Sequence, residues 1–312
     1  MQKANIVFMG TPEIAVPTLE KLNELHNIQL VVTTPDKPKG RGLKLQYSPI
    51  KEAALKLGLP VLQPVSMKEP EFCEQIRLLS PDIIVVFAFR ILPPSIFSAA
   101  KIATFNIHTS LLPKYRGAAP INWAIINGDK TTGITTFILQ EAVDTGDILL
   151  QEELAIPANA TAGDLYNLFQ TLAPSLAIKT CDLLLKGNYE LKQQDHSLAS
   201  LAPKIFRRDA KINWCQSSEI VANFINGYSP EPCAFTMWNN ATIKIYRALS
   251  SDIHNAESKQ AGDFFIEKNK FFVKCSDGFI EILELQAEGK KRMLVKDFLA
   301  GYRGDKQGTF IE

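Results

Sequence analysis

The chain has 312 residues, 46% of them hydrophobic, with 34 basic against 33 acidic side chains. This composition excludes a disordered chain, a collagen-like repeat and a polybasic coat that holds nucleic acid by bulk charge. Five scattered cysteines without CxxC spacing favour free thiols, and the lack of a long apolar run or signal-like start predicts a cytoplasmic protein with no membrane segment.

The first half alternates apolar runs with helix-like segments. The predicted strands are residues 5–10, 28–34, 82–89, 103–109 and 133–139. The predicted helices are 11–25, with Thr11 as N-cap and Pro12 at the first position, then 70–79, 118–127 and 161–186. Thr161 and Asp164 have the spacing of a capping box. This rhythm predicts an α/β fold with a doubly wound, mostly parallel, Rossmann-like sheet.

The pattern changes after Gly187. Residues 189–208 are polar and are predicted to be a linker, which separates a domain of residues 1–188 from one of residues 209–312. A helix is predicted over 217–226, followed by strands at 234–238, 242–248, 263–267, 271–275 and 279–285. Five short antiparallel strands indicate a small β-barrel, of which the OB type is one candidate.

His108 is the histidine with a candidate chemical role. Strand alternation places Asn106 and His108 on one face at the end of an apolar strand. Ligands collect at the carboxyl ends of strands in open α/β sheets, where these side chains could stabilise an oxyanion or move a proton. A strand-end histidine that only caps a loop is equally compatible with the spacing. The contexts of His26, His196 and His254 favour solvated roles.

Two loops carry candidate charges. Asp144, in the sequence Asp-Thr-Gly-Asp that follows the strand at 133–139, could orient the imidazole, although this sequence is also common turn chemistry. The stretch Lys37-Pro-Lys39-Gly40-Arg41-Gly42-Leu-Lys44 holds four cations and no acid, which suits a phosphate chain as well as a solvated loop. No His, Cys or acidic cluster has metal-ligand spacing, so we expect no metal.

Together these segments resemble the folate-dependent formyltransferase family. The resemblance rests on Asn106-Ile-His108-Thr-Ser110-Leu111-Leu112-Pro113, on Asp144-Thr-Gly-Asp and on the basic stretch at 37–44, and it covers nearly the whole chain. It implies Asn106, His108 and Asp144 as the catalytic residues, with 10-formyltetrahydrofolate as donor. It also implies that Ser110, Leu111, Leu112 and Pro113 contact the folate.

The resemblance further implies a pterin pocket and a nucleic-acid partner. Phe87, Phe89, Arg90 and Leu92 would wall the pocket, although this segment lacks the family's usual glycine. Within the family the likeness is greatest to members that formylate initiator methionyl-tRNA. The residues implied for tRNA binding are Lys37, Lys39, Gly40, Arg41, Gly42, Lys44, Lys204, Arg207 and Arg208. No obligate protein partner is implied.

Two alternatives stay open. One is a formyltransferase that acts on a small amine, such as glycinamide ribonucleotide or an amino sugar nucleotide. The other is a catalytically silent tRNA-binding relative. Relatives that act on small amines are not expected to carry the basic stretch at 37–44, so this stretch argues against the first alternative. The presence of Asn106, His108 and Asp144 argues against the second.

Overall fold

The structure is a computed structural model that describes residues 3–39, 44–251, 253 and 259–310. The strands in chain order are β1 (Asn5–Gly10), β2 (Asn27–Val32), β3 (Lys37–Lys39), β4 (Lys44–Gln46), β5 (Val61–Leu62), β6 (Ile83–Phe87), β7 (Ala103–His108), β8 (Arg116–Gly117), β9 (Thr131–Ile138), β10 (Ile148–Ala155), β11 (Leu201–Ala202), β12 (Ala234–Trp238), β13 (Ala241–Ser251), β14 (Asp263–Glu267), β15 (Lys270–Lys274), β16 (Phe279–Ala287), β17 (Met293–Leu294) and β18 (Gln307–Thr309). The helices are α1 (Val16–Leu25), α2 (Pro49–Lys56), α3 (Pro70–Leu79), α4 (Pro94–Phe97), α5 (Pro120–Ile126), α6 (Ala162–Lys186), α7 (Ser218–Gly227) and α8 (Val295–Gly301), with short 3-10 turns at Glu13–Ala15, His196–Leu198 and Arg207–Asp209.

A seven-stranded sheet has the order β10-β9-β7-β6-β1-β2-β5. Strands β5, β2, β1, β6 and β7 run parallel, while β9 pairs antiparallel with β7. Every residue of β6 is buried, as its continuous Ile-Ile-Val-Val-Phe sequence requires of a strand covered on both faces. The predicted mostly parallel α/β sheet is therefore confirmed.

The helix signals of the first half are confirmed with one exception. Thr161 and Asp164 form the reciprocal capping box, since each backbone N–H donates to the other side chain at 2.8 and 3.1 Å. The prediction that Thr11 caps the first helix is wrong. The chain leaves β1 through a 3-10 turn, and α1 begins only at Val16, with a proline in its first turn that suits a helix start.

The C-terminal strands form an antiparallel sheet in the order β12-β13-β16-β15-β14-β18, and β17 also pairs with β16. The five predicted strands are present. Their apolar side chains pack around the fully buried Trp214, which stacks on Phe310 with ring centroids 5.6 Å apart. β17, β18 and α8 were not predicted, because elements of two, three and seven residues are too short to show a clear hydrophobic period.

Packing divides the chain into two units whose segments alternate along the sequence. The first comprises Met1–Gly117, Gly133–Leu154 and Tyr166–Leu201, and the second comprises Ala118–Thr132, Ala155–Leu165 and Ala202–Glu312. The functional domains at residues 1–188 and 209–312 stay a prediction. Among the described residues, no helix is both long enough and apolar enough to cross a bilayer.

Candidate active site

The carboxyl end of β7 brings Asn106 and His108 into the middle of the first unit's sheet. β7 lies between β6 and β9, and His108 is opposite Thr135 in the register with β9. His108 is only 5% exposed, whereas Asn106 is partly accessible. Within the described part of the chain, no residue hydrogen-bonds to the Asn106 side chain, so its amide can donate to a bound molecule.

The ring of His108 lies between a carbonyl and a carboxylate. Its Nε2 is 2.8 Å from the carbonyl oxygen of Tyr115, and its Nδ1 is 3.8 Å from Oδ2 of Asp144. The carbonyl can only accept, so Nε2 carries a hydrogen in this arrangement. Nδ1 is then the nitrogen that faces the carboxylate, at a separation too long for a direct hydrogen bond.

Asp144 is held in a sharp turn between β9 and β10. Its φ of 54° lies in the left-handed region that residues other than glycine rarely adopt. Oδ2 accepts a 2.8 Å hydrogen bond from the backbone N–H of Gly117, and the side chain is 12% exposed. A Cβ at Gly146 would overlap the carbonyl oxygen of Ile138, so only glycine fits this turn. The turn therefore fixes the carboxylate beside His108.

The segment from Ser110 to Pro113 is supported from below by β9 and β10. The hydroxyl of Thr135 donates to the carbonyl of Ser110 at 2.6 Å and accepts from the N–H of Leu112 at 3.2 Å. The Gln151 amide donates to the carbonyl of Leu112 at 2.9 Å. Ser110 and Leu112 are buried, and the Leu112–Pro113 peptide bond is cis. These hydrogen bonds hold the backbone of the predicted folate segment at Ser110 and Leu112.

The predicted pterin wall is divided between core and surface. Phe87 and Leu92 are 2% and 5% exposed, and Phe89 packs against the hydrophobic cluster that contains Leu92. Arg90 donates to the carbonyl oxygens of Pro64 and Val65 at 2.7 and 2.9 Å. Partial burial lowers the pKa of its guanidinium, an effect that Glu69 opposes. Arg90 therefore anchors the segment at residues 64–65.

The candidate tRNA residues occupy two separate segments. Lys37, Lys39 and Lys44 lie on the short β3–β4 hairpin, while Gly40, Arg41 and Gly42 are outside the described residues. Lys204, Arg207 and Arg208 are all exposed. Their neighbour Phe206 is 41% exposed, with the cations of Lys204 and Arg208 lying 5.5 and 4.8 Å from its ring centre. An aromatic side chain among cations suits RNA, and sequence analysis overlooked it.

Several supporting residues have no signal in the sequence. The carbonyl of Tyr115 is a backbone group, and Gln194 lies in a polar stretch that predicts a linker.

His26 is 5% exposed, which corrects the expectation that it is solvated. Among residues 3–39, 44–251, 253 and 259–310, no three His, Cys, Asp or Glu side chains form a metal-binding cluster.

Comparisons with known proteins place this geometry in context. The formyl transferase family profile matches residues 4–181, and the profile of the formyl transferase C-terminal domain matches residues 204–303. Methionyl-tRNA formyltransferase of Chlorobium chlorochromatii is 44% identical over 95% of this chain and 96% of its own length. The enzyme of the same name from Ruminiclostridium cellulolyticum is 43% identical over 97% of this chain and 99% of its own length.

Solved structures share the fold at lower identity. The N-formyltransferase of Helicobacter canadensis, in complex with folinic acid and dTDP-3-aminofucose, has a TM-score of 0.69 and 23% identity over 91% of this chain and 99% of that one. HypX of Aquifex aeolicus, in complex with tetrahydrofolic acid, has a TM-score of 0.64 and 15% identity, covering 96% of this chain and 47% of that one. At these identities the likeness concerns the fold alone.

Proposed function

Because this chain belongs to the methionyl-tRNA formyltransferase family, we propose that it transfers the formyl group of 10-formyltetrahydrofolate to the α-amine of methionyl initiator tRNA. The product is N-formylmethionyl-tRNA, which serves translation initiation. The observation that carries this function is the buried His108 between the Tyr115 carbonyl and the Asp144 carboxylate, two residues after the available amide of Asn106.

The reaction needs oxyanion stabilisation and a route for one proton. The amine nitrogen forms a bond to the formyl carbon and gives a tetrahedral intermediate with negative charge on oxygen. The bond between this carbon and N10 of the donor then breaks, N10 takes up the proton that the amine has lost, and tetrahydrofolate leaves. Asn106 donates to the developing oxyanion, and one preorganised donor of this kind stabilises a transition state by ~3 kcal/mol. His108 also stabilises this charge when its Nδ1 carries a proton, and no covalent bond to the protein forms.

His108 and Asp144 together handle the proton that the attacking amine loses. With Nδ1 and Oδ2 separated by 3.8 Å, a nitrogen or water oxygen about 2.8 Å from both atoms would contact both groups. Asp144 accepts the proton directly or through such a water, and its charge stabilises positive charge on the imidazole. The same carboxylate is held by Gly117, so it meets the amine in a fixed orientation.

The formyl donor binds to residues that lie beside His108. Ser110, Leu111, Leu112 and Pro113 contact the tetrahydrofolate, and Phe87, Phe89, Arg90 and Leu92 form or support the pterin wall. The support from Thr135 and Gln151 favours this assignment, because it holds the segment that must meet the pterin.

The tRNA is held by placed cations rather than by overall charge. Arg41, within the basic stretch Lys37 to Lys44, contacts the end of the acceptor stem, and Lys204, Arg207 and Arg208 bind phosphates near an OB-like C-terminal domain. Residues 1–188 are thus the catalytic domain, 189–208 the linker and 209–312 the tRNA-binding domain. The near-zero net charge of the chain suits this mode of binding.

The test is formyl transfer from 10-formyltetrahydrofolate to charged initiator tRNA, with uncharged initiator tRNA and charged elongator tRNA as controls. We expect transfer only to the charged initiator. Glycinamide ribonucleotide and an amino sugar nucleotide are assayed beside it, and preference for either would replace this function with the small-amine alternative. Binding of tRNA without transfer to any acceptor would indicate the silent relative. Arg41→Ala should weaken use of the tRNA far more than folate binding.

A further inference from the structure

Gln194 makes four hydrogen bonds in the first unit although it lies in a stretch that the sequence predicts to be a linker. Its amide nitrogen donates to the carbonyl oxygens of Asp144 at 3.0 Å and Gly146 at 2.7 Å. Its Oε1 accepts from Nε and Nη2 of Arg116 at 3.1 and 2.6 Å. Carbonyls only accept and guanidinium groups only donate, so the orientation of this amide is unambiguous.

This amide uses its full hydrogen-bonding capacity in a nearly water-free place. The residue is 6% exposed, and both of its N–H groups and both acceptor positions of its oxygen have partners. Gln194 is itself fixed by its neighbours, because Lys192 exchanges two backbone hydrogen bonds with Ile148 at 2.8 and 3.0 Å. Such an arrangement orients whatever it binds.

The four bonds join the two loops that flank His108. One loop is the turn that carries Asp144, and the three residues before Asp144, Glu141, Ala142 and Val143, are exposed. The other loop contains Tyr115, whose carbonyl meets Nε2 of His108, and its neighbour Arg116 is the residue that Gln194 binds. Gln194 therefore spans the carbonyl side and the carboxylate side of the imidazole.

We infer that Gln194 is a positioning residue that sets the place of Asp144 beside His108. Asp144 has a left-handed backbone and lies at the end of three exposed residues. Its carboxylate is held by the Gly117 N–H, and the Thr145 hydroxyl donates to the carbonyl of Ala142, but the backbone carbonyls of Asp144 and Gly146 are held by Gln194. The inference rests on the proposed function for its catalytic consequence. Residues 192–194 are then part of the active-site architecture as well as a connection.

The first test compares Gln194→Met with Gln193→Met. Methionine keeps the length of the side chain and removes all four bonds, and the adjacent Gln193 is exposed, which makes it a matched control. We expect kcat for formyl transfer to fall about 10- to 100-fold in Q194M with KM for donor and tRNA nearly unchanged, as displacement of a catalytic group by about 1 Å predicts. Q193M should match the wild-type protein, and wild-type kcat in Q194M would overturn the inference.

A double-mutant comparison separates positioning from general weakening of the fold. In an Asp144→Ala background, measured under single-turnover conditions, Q194M should lower the remaining rate by less than about twofold, because the group it positions is gone. An equal loss in both backgrounds would contradict the inference. Where Q194M does not fold, Gln194→Glu carries the same comparison, since it keeps the acceptor for Arg116 and cannot donate to the two carbonyls.

Hydrogen exchange provides a readout that does not depend on the reaction. The backbone amides at 141–147 should exchange at least about fivefold faster in Q194M than in Q193M, because the turn loses its attachment. Unchanged exchange would overturn the inference even if the acceptor proves to be a small amine. Faster exchange together with absence of transfer to tRNA by the wild-type protein would support the inference and reject the proposed function.

Discussion

Nε2 of His108 lies 2.8 Å from the carbonyl oxygen of Tyr115, so a backbone group determines which ring nitrogen carries the hydrogen. Nδ1 is left facing Asp144 across 3.8 Å. A carbonyl oxygen accepts a hydrogen bond at every pH, so this bond holds the imidazole ring in one orientation during the reaction. The chemistry then depends on the side of the ring that faces the carboxylate.

Replacing Asp144 by Asn tests the carboxylate without emptying its site. The Asn oxygen still accepts from the Gly117 N–H, but the charge and the proton-accepting capacity are lost. We expect kcat to fall by about 10²–10⁴-fold, the usual contribution of a positioned acid or base. Single-turnover formylation measures the loss, and thermal unfolding should show a folded protein.

Glu141→Gln is the control for this substitution. Glu141 is an exposed carboxylate in the same turn, so it matches the change in charge and in chemistry. Its rate should stay within about twofold of the wild-type rate, as for a surface substitution away from the site. A D144N protein as active as E141Q would remove Asp144 from the mechanism.

Gly133→Ala tests the support beneath the predicted folate segment. A Cβ at this position would overlap the carbonyl oxygen of Glu152 and the side chain of Leu111, so Leu111 must move. We expect a loss of about 1–3 kcal/mol in unfolding free energy, as for overpacking, and a higher KM for the folate donor. Denaturant unfolding and donor titration provide the two measurements.

Gly301→Ala is the matched control, because a Cβ there meets no neighbouring atom within 4 Å. Its donor KM should equal that of the wild-type protein, and alanine at the end of α8 should leave stability unchanged or slightly higher. If G133A has the donor KM of G301A, the segment from Ser110 to Pro113 does not contact the donor as proposed.

The strand periodicity predicted the part of the site that lies on β7. Asn106 and His108 could be placed on one face because alternation along a strand is a local property. The strands β1, β12 and β14 match their predicted bounds for the same reason, since short apolar or alternating runs end at turn residues. The Asp144 turn could be placed after its strand, although its distance from His108 could not.

The remainder of the site depends on contacts that periodicity does not encode. The Tyr115 carbonyl and the Gln194 amide meet their partners only when loops distant in sequence are folded together. The polar composition around Gln194 predicts exposure, and full hydrogen bonding offsets the cost of its burial. β18 escaped prediction because an edge strand of three residues pairs through its backbone.

Removing the charges of Lys204, Arg207 and Arg208 tests the C-terminal cationic segment. All three side chains are exposed, so alanine should leave the fold intact. If each neutralises a phosphate, the triple variant should raise KM for charged tRNA and reduce the slope of log(kcat/KM) against log salt by about 2–3. Donor KM should not change, because none of the three is among the residues proposed to bind the donor.

The control removes the same charge from exposed lysines elsewhere, with Lys56, Lys68 and Lys186 changed to alanine. This variant should keep the wild-type KM and nearly the wild-type salt slope. Equal effects in the two triple variants would indicate that tRNA responds to net charge, which contradicts the proposal of placed cations.

His26 makes stability depend on pH near neutrality. It is 5% exposed, its Nδ1 accepts a 3.3 Å hydrogen bond from the N–H of Ala4, and its Nε2 is buried without a partner among the described residues. Burial lowers the pKa of His26 below 6.5, with a further lowering by Lys3 and an opposing effect of Asp182. The unfolded chain therefore binds this proton at a higher pH than the folded chain. The free energy of unfolding that neutral His26 contributes is fully present above about pH 6.5 and decreases as pH falls below it.

Urea unfolding at about pH 7.5 and about pH 5.5 measures this loss of unfolding free energy. His26→Gln should make the loss smaller, whereas the same change at the exposed His196 should leave it as in the wild-type protein. An identical pH dependence in the wild-type and H26Q proteins would show that another group is responsible.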